Sequence, residues 1–130
     1  MKYALLIYES PQYSDFRLRA SDDERAPREG WGPWQAYYKA LTDAGVYVDG
    51  TPLEHFTTGT TVRLRGGQRQ VQDGPYADTK EQLGGLIILE LPSLDDALDW
   101  AARCPVAADG SVEVRPISEH VLKSVTGADG

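Results

Sequence analysis

Two stretches of the chain, Lys2–Tyr8 and Leu86–Leu91, are almost wholly apolar and do not alternate. That pattern predicts two central strands covered on both faces. Elsewhere the period changes. Trp34, Tyr37, Tyr38, Leu41 and Ala44 recur at helical spacing after Gly32-Pro33, and Gly45 supplies a left-handed stop. Leu94, Ala97, Leu98 and Ala101 form a second helical stripe, opened by Ser93 with Asp96 three residues on and closed by Cys104-Pro105. Val46–Asp49, Thr60–Arg65, Gln68–Gln72 and Val112–Ile117 read as further strands, with Gly66-Gly67 as a hairpin turn and Pro116 marking an edge. Residues Glu9–Gly30 show no sustained period and are expected to be a long surface excursion, either a plain loop or a lid.

Strand, helix, strand, inserted hairpin, strand, helix, strand is the order of an α+β, ferredoxin-like βαββαβ unit with both helices on one face of the sheet. The two non-alternating runs fall on its central strands. Helices cover only one face, so the apolar residues of the other face would stay wet in a lone subunit. A face-to-face homodimer is the expected solution.

Composition narrows the picture further. The chain has 130 residues, of which 41% are hydrophobic, enough for one core; a single domain over 1–122 with a flexible tail over 123–130 is expected. A formal net charge of -7 opposes binding to nucleic acid, which depends on clustered Lys and Arg. The opening apolar run is too short for a signal-peptide core or a membrane span, so a cytoplasmic protein with no membrane partner is expected. Cys104 stands alone and reads as a half-buried packing residue. His55 and His120 lack metal-ligand spacing and read as surface histidines, so no metal is expected. Gly84-Gly85 enters a strand with no Gly-Lys-Ser/Thr after it, which excludes a phosphate loop. No cofactor is expected.

The thirteen residues Asp73-Gly74-Pro75-Tyr76-Ala77-Asp78-Thr79-Lys80-Glu81-Gln82-Leu83-Gly84-Gly85 resemble the signature of the YCII-related family, in its Asp-Gly-Pro-Phe/Tyr (DGPF) subgroup. The likeness extends to Lys2–Tyr8, to Ser93–Leu98 and to Gly110–Pro116. It implies a dimeric α/β-barrel of two ferredoxin-like units. It also implies either a small-molecule enzyme with a His and Asp pair in a cleft or a module associated with an extracytoplasmic-function sigma factor. This chain departs from the His-Asp pattern, because Trp34 stands where such relatives carry the helix histidine.

Asp73 remains as the candidate acid or base. Between a strand end and a Gly-Pro turn, its carboxylate either sits partly desolvated in a cleft or simply caps the turn. Tyr8, Tyr76, Lys80 and Arg115 are the candidate substrate-binding residues around it: Tyr8 to line the cavity, Tyr76 to donate its phenol hydrogen, Lys80 to orient an anionic group and Arg115 to meet an acidic partner or an anionic ligand. Two functions follow as expectations. The first is a small-molecule enzyme using Asp-based acid-base chemistry; the alternative is a non-catalytic ligand-binding or regulatory module.

Overall fold

The computed structural model describes residues 1–22 and 31–127. Four strands, β1 (Lys2–Glu9), β2 (Tyr47–Pro52), β5 (Gln82–Glu90) and β6 (Ser111–Pro116), form one antiparallel sheet in the order β2-β5-β1-β6. A separate two-stranded hairpin is made by β3 (Thr60–Arg65) and β4 (Gln68–Asp73). The helices are α1 (Pro11–Asp22), α2 (Gly32–Asp43), α3 (Leu94–Ala102) and α4 (Glu119–Thr126). With the hairpin set aside, the sheet order and antiparallel pairing are those of a ferredoxin-like βαββαβ unit. The two apolar runs are its central strands.

In this single chain the two faces of those strands are buried unequally. Along β1 the odd residues Tyr3, Leu5 and Ile7 are buried while Ala4, Leu6 and Tyr8 are only half-buried. The register places Ile87 and Leu89 of β5 beside Leu5 and Tyr3, and Ile88 beside Ala4. One face therefore makes the core, with Tyr37 and Leu41 of α2, Ala97 and Ala101 of α3, Cys104 and Val106. The other face carries aliphatic side chains, Ala4, Leu6 and Ile88, that are half-buried. Leu94 and Leu98, expected in the α3 stripe, are each 48% exposed; small Ala97 and Ala101 make the close approach instead.

Local signals hold where capping chemistry sets them. Ser93 Oγ accepts from the Asp96 amide at 3.2 Å, and Gly66 and Gly67 both take positive φ at the hairpin turn. Two segments depart from the sequence reading. Part of the Glu9–Gly30 excursion is α1, capped by Ser10, whose Oγ accepts from the Tyr13 amide at 3.2 Å and donates to Asp109 at 2.9 Å. Its inward side is Tyr13, Ser14 and Arg17, a set too polar to register as an apolar stripe. Residues 23–30 of that excursion lie outside the described residues. The chain end is helical through Thr126, closed by Gly127 in the left-handed region, so regular structure passes the boundary expected at residue 123. Among the described residues, no helix is long and apolar enough to cross a membrane.

Candidate functional site

A cavity of about 430 Å³ opens between α1, the N-terminal half of α2 and the corner where β1, β5 and β2 meet. The sheet contributes Ile7 and Glu9 from β1 and Gly84, Gly85 and Leu86 from β5. The segment Thr51–Glu54 forms another wall, and the helices supply Tyr13, Arg17, Trp34 and Tyr38, with Trp31 just ahead of α2. Aromatic packing explains how these walls stand. Tyr13 meets Phe16 and Phe16 meets Trp31, each at 5.8 Å between ring centroids, and Trp34 meets Tyr38 at 6.2 Å.

The floor is ionic. Glu9 is buried, and its Oε1 lies 2.6 Å from Arg17 Nε while its Oε2 accepts from Ser14 Oγ at 3.1 Å. Arg17 Nη2 also donates to the carbonyls of Leu53 at 2.8 Å and Gly84 at 3.1 Å. One guanidinium thus ties α1 to β1, to β5 and to the segment after β2. Burial of such a pair is tolerated because the charges are matched and further bonded. Gly84 makes room for it: a Cβ there would land on the Glu9 carboxylate. Gly85 serves a similar purpose, since its Cβ would come within 2.9 Å of the Thr51 carbonyl on β2.

Tyr13 is a polar group of the wall with capacity to spare. Trp34 Nε1 donates to its phenol oxygen at 2.6 Å, and the phenol hydrogen has no acceptor among the described residues. Burial pushes the Tyr13 phenol above its ordinary value, against the lowering effect of the Trp34 bond. At neutral pH it is therefore a donor and not a base.

The residues singled out from the sequence lie elsewhere. Asp73 is exposed at the end of β4, Lys80 is exposed, and Tyr76 is 80% exposed with the Arg63 guanidinium 5.6 Å from its ring centroid. None of the three lines the cavity. Tyr8 and Arg115 come together on the opposite face of the sheet through Glu113: Tyr8 donates to its Oε1 at 3.5 Å, and Arg115 Nε to its Oε2 at 2.7 Å. Arg115 is exposed, and its guanidinium is pushed up by its bond to Glu113. The Asp73–Gly85 segment reaches the cavity only at its far end, through Gly84 and Gly85. Its middle is a folded turn in which Gln82 Nε2 donates to the carbonyls of Ala77 and Thr79, both at 3.0 Å.

His55 is not a surface group. Its imidazole is 6% exposed and stacks on Phe56 with centroids 4.3 Å apart, while Nδ1 accepts from the Thr57 amide and Nε2 lies 3.8 Å from Asp15. Cys104 is more deeply buried than expected, and burial pushes its thiol up. Among the described residues no group of three or more His, Cys, Asp or Glu side chains could hold a metal ion. Glu9, Tyr13 and Arg17 were missed because they lie in the aperiodic excursion. A Ser-x-x-Tyr-Ser start after a strand, with Arg one turn later, is the signal that marks them.

A family model described as the YCII-related domain matches residues 1–121. An uncharacterized protein of Rhizobium meliloti (strain 1021) is 35% identical over 120 residues, covering 91% of this chain and 93% of that protein. A solved structure of 5-chloro-2-hydroxyhydroquinone dehydrochlorinase from Burkholderia phenoliruptrix AC1100, in complex with 2,5-dihydroxybenzoquinone, superposes with a TM-score of 0.47 at 16% identity, covering 91% of this chain and 94% of that one. The chain belongs to the YCII-related family.

Proposed function

We propose that this YCII-related protein binds a small molecule in the cavity under α1, with the Tyr13 hydroxyl as the donor that orients it. The observation carrying this reading is an aromatic-walled space of about 430 Å³ faced by a phenol whose hydrogen has no acceptor among the described residues. Ligand sites are commonly of this size, mostly apolar, with a few placed polar groups. Glu9 and Arg17 are bonded to each other and to their surroundings, which suits a scaffold more than proton transfer. A regulatory role, including association with a sigma factor, would rest on the same occupancy.

A thermal-shift screen of small aromatic and amine compounds tests the site, with Leu53→Trp as a variant that fills its mouth. A ligand at a hundredfold excess over Kd adds about 2.7 kcal/mol of stability. Hits should raise the melting temperature of the wild type and lose their effect in Leu53→Trp. Equal shifts in both proteins would remove the cavity as the site.

Acid-base chemistry at Asp73, with Tyr8, Tyr76, Lys80 and Arg115 around it, is a separate proposal located away from this cavity. It requires that Asp73→Asn abolish a turnover while ligand affinity at the cavity is kept. We also propose that the half-buried face bearing Ala4, Leu6 and Ile88 pairs with a second copy. Sedimentation should show a dimer at micromolar concentration and a single subunit for Leu6→Glu; a wild-type monomer would refute the pairing.

A further inference from the structure

We infer that the ligand of this cavity is an organic cation, a quaternary or protonated amine. This rests on the cavity being the binding site and concerns only the class of molecule it takes. Charge sign is the first argument. Among the described residues, Glu9, Arg17 and Glu54 are the charged groups lining the cavity, which leaves one net negative charge there. The Arg17 guanidinium is committed to Glu9 and to two backbone carbonyls, so it offers an incoming anion little. Glu54 is exposed at the mouth and makes no ion pair among the described residues. The formal net charge of -7 over the whole chain adds a field of the same sign, attracting cations and repelling anions.

The walls are the second argument. Tyr13, Trp31, Trp34 and Tyr38 all line the same space. The face of each ring carries the negative part of its quadrupole, and several such faces around one space are the means by which proteins hold ammonium groups that cannot be reached by short hydrogen bonds. A neutral apolar ligand would gain from the rings but nothing from the Glu54 carboxylate; an anion would be opposed by both. Tyr13 adds a requirement, because its phenol hydrogen has no acceptor among the described residues. A hydroxyl or carbonyl oxygen a few bonds from the cationic nitrogen satisfies it.

The test uses a matched trio of probes on the full chain: choline, its uncharged isostere 3,3-dimethylbutan-1-ol and the anion 3,3-dimethylbutanoate, titrated by tryptophan fluorescence and calorimetry. Choline should bind at least about tenfold more tightly than the alcohol, with the anion weakest. Glu54→Gln should narrow the gap between choline and the alcohol, as should raised salt. Tyr38→Leu should weaken choline more than the alcohol. Equal or tighter binding of the alcohol or the anion overturns the cation inference and leaves the cavity standing, provided Leu53→Trp abolishes that binding. Absence of choline binding also overturns it; the cavity reading falls as well only if the broader screen yields no ligand that Leu53→Trp blocks.

Discussion

The two ends of the Asp73–Gly85 segment meet different environments. At the front, Asp73, Tyr76 and Lys80 stand in solvent; at the back, Gln82, Gly84 and Gly85 are buried where the cavity floor is built. The conspicuous functional groups of the segment are at its wet end. Its buried end acts through what it lacks, since the missing side chain at Gly84 gives the Glu9 carboxylate its place. A motif can therefore serve a site by leaving space for residues that come from elsewhere in the chain.

The largest test of this contrast is Arg17→Met, which leaves the buried Glu9 carboxylate without its ionic partner. A loss of about 3–5 kcal/mol in urea unfolding is expected. The double variant Glu9→Gln with Arg17→Met should lose less than the single one, because no lone charge is then buried. Gly84→Ala comes next. Its methyl group must displace the Glu9 side chain, at a cost of about 1–3 kcal/mol, together with loss of ligand affinity.

Alkaline unfolding separates buried from exposed phenols. Burial pushes Tyr37 far above its ordinary value, and Tyr13 and Tyr38 are raised for the same reason. Above about pH 10 the unfolded chain releases phenol protons that the folded chain retains. The stability these groups contribute is present below that pH and declines as pH rises through their folded values, by up to about 1.4 kcal/mol per pH unit per group. Tyr37→Phe should flatten the decline while costing about 1 kcal/mol at neutral pH, through loss of its 2.8 Å bond to the Trp100 carbonyl. An unchanged alkaline slope in that variant would contradict the assignment. The smallest effect is expected at the wet end: Asp73→Asn and Tyr76→Ala should each leave stability within about 0.5 kcal/mol of wild type.

Much of the fold was legible because it is written in local chemistry. The runs around Leu5 and Ile87 marked the central strands, Gly66-Gly67 the hairpin, Ser93 the start of α3 and Pro116 the edge strand. The α1 helix escaped notice because its packed side is Tyr13, Ser14 and Arg17, and hydrophobic periodicity is blind to polar burial. The DGPY residues attracted attention as carboxylate, phenol and amine on a short segment, yet chemistry-bearing side chains in a turn are often only solvated. Trp34, a member of the helical aromatic stripe, lies between core and cavity, touching Tyr37 on one side and Tyr13 on the other.

By itself the sequence determined the order of the strands and of helices α2 and α3, the hairpin and the presence of a second aliphatic sheet face. Each of those follows from neighbouring residues and short-range periodicity. Only the tertiary structure decided the candidate site, because Trp34, Leu53 and Gly84 are distant in the chain from Glu9 and Arg17 and meet them only when β5 pairs with β1 and α1 folds over their end. No local pattern encodes that the arginine paired with Glu9 will also find the carbonyls of Leu53 and Gly84. That match depends on geometry in three dimensions, set once the sheet has formed.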